Sequence, residues 1–170
     1  MSSSGLEISC GHCKKTYAMD EYGSLQSTEG ITEFSHIPDW YEWERANVRK
    51  EILDGKYHIE DTVEVDSLPN AKGFINLGAG HVIHDNEGFT LTYSEFGETK
   101  VLKRSVASME ACHIEFDYNG KGDCIDMTTP EDNFYVYFKN LTNIVTKIHF
   151  ATEELTRNQI KQHNKDLLDS

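Results

Sequence analysis

The stretch of chain from residue 57 to residue 138 reads as a series of short strands, and it constrains the fold more than any other feature. Within it, Phe89, Leu91 and Tyr93 alternate with threonines, which is the pattern of a strand with one buried face. The preceding residues 85–88, Asp-Asn-Glu-Gly, are of the types that a hairpin turn needs. The sequence therefore predicts a mainly β, antiparallel architecture with attachments at both ends.

The strand-like segments are short, and glycine, asparagine or proline separates most of them. They comprise residues 57–66, 74–77, 81–84, 89–93, 99–104, 108–118, 124–128 and 133–138, with a further candidate at 144–150. Gly78-Ala-Gly80 is predicted to be a turn between two of these strands, and Thr152 is a suitable N-cap for a final helix over 153–168. Seven or so antiparallel strands closed by a helix indicate a half-open barrel capped at one end.

The composition limits the classes of function that the chain can have. Its 170 residues fit one domain of ordinary size with a small appendage. A formal net charge of −13 argues against nucleic-acid binding and, less strongly, against docking on anionic lipid. The sequence contains no membrane-length apolar run and no export signal after Met1, so a cytoplasmic location is expected.

Residues 35–55 form the clearest helix in the chain. Pro38 suits the first turn, and Gly55 is a suitable residue to end the helix. Trp40 and Trp43 lie beside its apolar face. Their most ordinary role is to pack the helix onto the sheet, and the alternative is that they form an interaction surface for another domain or a membrane.

A Cys-x-x-Cys turn formed by Cys10 and Cys13 precedes this helix, within a hairpin-like segment over residues 8–34. Two thiolates at this spacing suit tetrahedral zinc, as in the first half of a zinc ribbon. A second Cys-x-x-Cys is absent, so the remaining ligands could be His36 with a carboxylate, Cys112 or Cys124, a partner chain, or none. Cys112 and Cys124 are themselves expected to be buried core residues. A vestigial knuckle and redox chemistry are the other interpretations of Cys10 and Cys13.

The residue types of enzymatic chemistry form no recognisable catalytic pattern. The sequence contains no nucleophile elbow, no His-Glu-x-x-His motif and no phosphate-binding glycine loop. His81 and His84 lie three positions apart on a strand and should face opposite sides of the sheet. Lys100, Lys103 and Arg104 are a candidate contact for an anionic headgroup, although three charges on a strand are more often a solvated face.

Two resemblances to known families follow from these segments. Residues 57–168 resemble a PH-like or GRAM-like domain. The resemblance is carried by Gly78-x-Gly80-x-Val82, which leads into residues 86–91, and by residues 106–109, which precede the next hairpin and the final helix. The chain from residue 8 is also similar to the C-terminal extension of some bacterial 1-acyl-sn-glycerol-3-phosphate acyltransferase-like proteins. That similarity is carried by the Cys-x-x-Cys turn and by residues 34–45, 65–74 and 122–126, of which the tryptophan-containing stretch is the most specific.

The second resemblance implies an accessory region of an enzyme that acylates lysophosphatidic acid in phospholipid biosynthesis. The catalytic His-x-x-x-x-Asp motif of that family is absent here, so the chain itself is expected to be non-catalytic. The expected organisation is a flexible linker (1–7), a zinc-knuckle-like hairpin (8–34), a helix (35–55) and a PH-like barrel with its helix (56–170). The expected partner is an acyltransferase domain, another protein or a membrane surface. The alternative is a free-standing domain or enzyme that binds a small molecule or lipid in the barrel mouth.

Overall fold

The computed structural model describes residues 2–10, 14–69, 73–130 and 132–168. The chain divides into two compact units, Met1–Asn47 and Val48–Ser170. The division falls inside the long helix that the sequence predicts over 35–55. The first unit therefore comprises the N-terminal strands and most of that helix, and the second comprises everything that follows.

The first unit contains a four-stranded antiparallel sheet in the order β1-β2-β3-β4. Its strands are β1 (Ser2–Ser4), β2 (Glu7–Ser9), β3 (Thr16–Met19) and β4 (Leu25–Ser27). Strand β1 lies within the segment that the sequence assigns to a flexible linker, and it pairs with β2. Tyr17, Leu25 and Trp40 form the small buried core of this unit.

Helix α1 (Ile37–Leu53) confirms the predicted helix, including its end. Gly55 adopts a positive φ of 66°, and its N–H donates to the carbonyl of Ile52 at 3.0 Å. The N–H of Lys56 donates to the carbonyl of Glu51 at 2.9 Å. These two bonds are the Schellman pattern, which satisfies the last helical carbonyls and requires a residue that tolerates the left-handed region.

The second unit is built on a seven-stranded antiparallel sheet that is not closed. Its strands are β5 (Ile59–Ser67), β6 (Ile75–Asp85), β7 (Gly88–Glu95), β8 (Glu98–Ser105), β9 (His113–Glu115), β10 (Cys124–Thr128) and β11 (Asn133–Phe138). Their spatial order is β8-β7-β6-β5-β11-β10-β9. Strand β5 therefore lies at the centre, with the three consecutive strands β6, β7 and β8 on one side and β9, β10 and β11 on the other.

Cross-strand rows of apolar side chains form the core of this sheet. Val65 pairs with Val136, which pairs with Ile125, and all three are fully buried. On the other side of β5, Val82 pairs with Leu91, and both are also buried. Because side chains alternate along a strand, these directly opposed pairs place one continuous apolar face on the sheet.

Helix α2 (Val145–Leu168) follows β11, and its N-terminal half is buried through Val145, Ile148, Ala151 and Leu155. It contacts β9 and the 3-10 turn Val106–Ser108. The buried carboxylate of Asp61 accepts hydrogen bonds from the backbone N–H groups of Asn140 and Leu141, at 3.1 and 3.0 Å. Burial by itself would raise the pKa of Asp61, but these bonds and one from the Asn140 amide hold that pKa below its usual value.

Three sequence predictions in this region are wrong. Residues 145–150 are helical and not a strand, and Thr152 is an interior helical residue whose hydroxyl donates to the carbonyl of Ile148 at 2.9 Å. Residues 78–80 are part of the continuous strand β6 and pair in register with residues 63–65 of β5; the register shifts just before them, at Leu77, so they do not form a turn. The segment 108–118 is a strand only over His113–Glu115.

Gly88, which follows the two-residue turn between β6 and β7, provides a test of this architecture. Its φ is +118°, and a Cβ there would overlap the backbone carbonyl oxygen of Arg104. We expect Gly88→Ala to lower the free energy of unfolding by about 3 kcal/mol or more, since backbone strain and a clash with a neighbouring strand act together. Urea denaturation measures this change.

Gly97 is the matched control, because it also has a positive φ (+82°) but has nothing within 4 Å of a Cβ. We expect Gly97→Ala to cost about 1 kcal/mol, the strain of the left-handed region alone. Equal losses in the two variants would contradict the close approach of β7 and β8 at Gly88.

Candidate functional site

The predicted metal site lies in the first unit, at the hairpin between β2 and β3. Cys10 closes this hairpin: its N–H donates to the carbonyl of Lys15, and its carbonyl accepts from Lys14, both at 2.9 Å. Cys10 is partly buried and packs against the core of Tyr17, Leu25 and Trp40. Cys13, the second predicted ligand, lies outside the described residues.

His36, the third predicted ligand, immediately precedes α1 and is exposed. Its Nδ1 lies 3.7 Å from Asp39 Oδ2, and its Nε2 lies 3.4 Å from the hydroxyl of Ser24. Within the described ranges, no group of three or more histidine, cysteine, aspartate or glutamate side chains is arranged to hold a metal ion. The zinc site therefore stays a prediction.

The two tryptophans of the predicted interaction surface have different environments. Trp40 is only 5% exposed, with its ring stacked on Phe34 at 5.2 Å and tilted against Tyr17 at 5.1 Å. Trp43 is 53% exposed and touches Phe34 at 5.5 Å. Trp40 is thus a core residue of the first unit, and Trp43 alone can contribute an exposed indole to a partner.

The predicted anion contact on β8 is divided between the two faces of the strand. Lys100 and Arg104 are partly buried on one face, whereas Lys103 is exposed on the other, as expected for residues at odd spacing on a strand. Lys100 pairs with Glu98 at 2.7 Å, and Arg104 donates to the carbonyl of Ser108 at 3.2 Å. The three basic side chains do not converge on one ligand position.

Cys112 and Cys124 are buried free thiols, as predicted. Cys124 lies on β10 and pairs in register with Glu115 of β9. Burial raises the pKa of each thiol to about 12, so both stay protonated near neutral pH and are poor nucleophiles.

A groove of about 540 Å³ in the second unit is a candidate binding site that the sequence did not predict. The end of α1 and the first exposed turns of α2 form two of its walls, and the β6–β7 turn and the 3-10 turn at Val106 complete it. It is lined by Ile52, Leu53, Asn86, Val106, Leu155, Asn158, Gln159, Lys161, Gln162 and Lys165. The positions 155, 158, 159 and 162 share one helical face, and this spacing is the signal that sequence reasoning could have used.

An ion-pair network joins the two helices beside this groove. The buried carboxylate of Glu154 on α2 accepts from Arg49 on α1, with Nε to Oε2 at 2.6 Å and Nη2 to Oε1 at 3.0 Å. Arg157 donates to the same carboxylate at 3.0 Å. Lys147 and Glu51 form a second, more exposed pair at 2.6 Å. A bidentate arginine–carboxylate pair has a defined geometry, so it fixes how the end of α1 and the start of α2 are oriented beside the groove.

His84 lies on the buried face of the same sheet, and His81 is partly exposed on the opposite face, which confirms their predicted orientation. The His84 ring stacks on Phe89 at 3.8 Å, and its Nδ1 is 2.8 Å from the hydroxyl of Tyr57. The space beside it measures about 10 Å³, which is enough for a single water molecule. Burial lowers the pKa of His84 to about 3, so the ring is neutral in the folded protein.

Comparison of the chain with models of protein families, with curated proteins and with solved structures gave no match. Neither of the two described helices has the length and apolar character that a membrane span requires. The architecture and the geometry of the groove therefore carry the functional argument.

The neutral state of His84 predicts a specific dependence of stability on pH. The unfolded chain binds a proton at His84 near pH 6.5 but the folded chain only near pH 3, so stability falls as the pH falls through this window. Between pH 6.5 and 5 we expect a loss of about 1.6 kcal/mol attributable to this residue. Urea denaturation at a series of pH values measures it.

His84→Phe is the matched variant, because phenylalanine keeps a ring against Phe89 but does not titrate. This variant should be less stable overall, since it leaves the buried Tyr57 hydroxyl without its partner. Its stability should nevertheless change less between pH 6.5 and 5 than that of the wild type. Parallel pH profiles for the two proteins would show that His84 is not buried in the neutral form.

Proposed function

We propose that this chain is a non-catalytic accessory module that positions or regulates an acyltransferase domain of phospholipid synthesis through protein contact. The assignment to an acyltransferase rests on the sequence resemblance described above. In this proposal the parent protein is cytoplasmic and works at the periphery of the membrane. The module has a metal-binding knuckle at its N-terminal end and a PH-like sheet with its terminal helix.

The observation that carries the proposal of a binding role is the groove beside α2. It is open to solvent, it is lined by both apolar and polar side chains, and the Arg49–Glu154 pair links the two helices that form its walls. A concave, pre-formed site that combines apolar surface with a few polar groups is the usual form of a recognition site. The exposed indole of Trp43 is a second candidate contact, in the first unit.

The alternative function, a small-molecule or lipid-binding enzyme that uses the barrel mouth, has less support. Its ligand would need a large enclosed space on the apolar face of the sheet. In the described part of that face, the space next to His84 has room for one water molecule, and Val65, Val136 and Ile125 fill the centre. A headgroup contact at Lys100, Lys103 and Arg104 is weakened by the division of these residues between two faces.

The PH-like description of the second unit is part of the proposal. Two features support it: the strand order, in which β5 at the centre joins a four-stranded and a three-stranded meander, and the helix α2 after the last strand. An unclosed sheet with a terminal helix also agrees with the half-open, capped form expected from the sequence.

The test of this function is binding to an isolated acyltransferase domain from the bacterial family that the sequence resembles, measured by isothermal titration calorimetry. We expect binding with a Kd of about 1 to 100 μM, in the range of transient domain contacts. We also expect acyl transfer to lysophosphatidic acid by that domain to change when the chain is added, with no transfer by the chain alone.

Trp43→Ala tests the contribution of the exposed indole, and Tyr22→Ala is its control because Tyr22 is another exposed aromatic residue of the first unit. We expect the first substitution to weaken binding by about 10-fold and the second to leave it unchanged. Absence of binding by the wild-type chain, or acyl transfer by the chain alone, would contradict the proposed function.

We further propose that Cys10, Cys13 and His36 contribute to a zinc site. The hydrogen-bonded hairpin at Cys10, its partly buried thiol and the exposed imidazole of His36 are compatible with this role. A structural zinc ion would stabilise a small unit whose described core consists of only a few buried side chains.

Metal content measured by mass spectrometry tests this site. We expect about one zinc ion per chain in protein purified without chelator, as for a single structural site. The zinc should be lost in Cys10→Ser/Cys13→Ser and reduced in His36→Ala. Cys112→Ser is the control, because it removes a buried thiol of the other unit and should leave the zinc content unchanged. Metal-free wild-type protein would contradict the assignment.

A further inference from the structure

We infer that the groove beside α2 binds an acidic peptide segment of a partner protein, one that contains a large apolar residue. This inference rests on the proposal that the chain is an interaction module, and it specifies the partner's chemistry. Three properties of the groove carry it: two lysines without an ion-pair partner among the described residues, four side-chain amides, and an apolar lining that includes the exposed Leu53.

The positive charge comes from Lys161 and Lys165, which lie four residues apart on α2 and line the groove. Both are exposed, and neither forms an ion pair with any residue that the structure describes. Most other lysines of the second unit do have acidic partners, such as Lys121 with Asp66 at 2.7 Å and Lys139 with Glu64 at 2.7 Å. In a chain of net charge −13, two unpaired lysines facing one concave surface provide charge complementarity to carboxylates.

The amides come from Asn86 on the β6–β7 turn and from Asn158, Gln159 and Gln162 on α2. A side-chain amide both donates and accepts hydrogen bonds, as does each peptide group of a polypeptide. Gln162 already donates to Asp166 at 2.8 Å, which leaves its carbonyl oxygen to accept. A row of neutral donors and acceptors suits a peptide backbone better than it suits a phosphate, which only accepts when ionised.

The apolar part of the lining combines the buried side chains of Ile52 and Leu155 with the exposed side chain of Leu53 and with Val106. Leu53 is 68% exposed, so an apolar partner residue would remove a substantial area from water. The combined pattern is an apolar anchor point with amides beside it and two lysines on the same helix. It fits an extended or helical segment that carries carboxylates next to a leucine-like residue.

Other occupants fit the groove less well. It is open to solvent, whereas a small-molecule site usually buries most of its ligand. An anionic bilayer would be repelled by the remainder of a chain with net charge −13. A second copy of this chain is a possible source of an acidic segment, and the experiment below distinguishes it.

The experiment selects peptides from a phage-displayed library of random 12-residue sequences on the immobilised full-length chain. Enriched peptides are then labelled with fluorescein, and their Kd is measured by fluorescence anisotropy. We expect the enriched sequences to combine aspartate or glutamate with a large apolar residue, and their binding to weaken as salt is added.

Two groove variants and one matched control assign the site. Lys161→Glu/Lys165→Glu and, separately, Leu53→Ser should each weaken binding by about 10-fold or more, since one reverses the charge and the other removes the anchor surface. Lys100→Glu/Lys103→Glu makes the same charge change on β8, outside the groove, and should change the Kd by less than about 2-fold. All of the substituted side chains are at least partly exposed, and circular dichroism verifies that each variant is folded.

Several outcomes would overturn the inference. These are the absence of enriched peptides, enrichment of basic or uncharged peptides, equal affinity of the wild type and both groove variants, or sedimentation of the chain with phosphatidylserine vesicles that depends on Lys161 and Lys165. A dimer of the wild type that dissociates in Lys161→Glu/Lys165→Glu would identify a second copy as the occupant and overturn it as well. Binding to the acyltransferase domain without selection of acidic peptides would refute this inference alone, and the reverse result would refute only the acyltransferase assignment.

Discussion

The pairing of β5 with β11 is the interaction on which the second unit depends. Every other strand pair of its seven-stranded sheet joins neighbours along the chain, but β5 and β11 are separated by residues 68–132. Their register opposes Val65 to Val136, and the row continues to Ile125. Closing such a long loop costs conformational entropy, and burial of these apolar rows offsets it. Without this pair, two separate meanders would each leave one apolar face in water.

Two buried carboxylates of the second unit, Asp61 and Glu154, lie close to α2 or on it. Asp61 occupies the core side of the central strand and accepts the backbone N–H groups that begin the approach to α2. Glu154 is buried on α2 and is held by Arg49 and Arg157. Each carboxylate is fully paired, as a buried charge must be. These contacts position α2 so that its next turns remain exposed as one wall of the groove.

The errors of the sequence predictions have common physical causes. Gly78 and Gly80 lie inside β6 and not in a turn. Gly80 passes so close to Thr92 and Val65 that a side chain would not fit, so glycine at this position allows the strands to pack. Residues 145–150 contain enough apolar and β-branched residues to suit a strand, yet Val145 and Ile148 are buried as part of a helix. For short apolar runs, local preference does not separate helix from strand, and tertiary burial decides between them.

Local sequence patterns were sufficient to predict α1 with its end at Gly55, a hairpin turn at residues 85–88 and the alternation of β7. Each of these elements depends on interactions between residues that are close in sequence, so a local sequence pattern can predict it. Local patterns do not predict the central place of β5, the burial of Trp40 or the groove beside α2, all of which depend on tertiary contacts. These features join segments that are distant in sequence, or depend on which face of an element is packed against another. Hydrophobic periodicity shows which face of an element is apolar, but it does not show which distant element packs against that face.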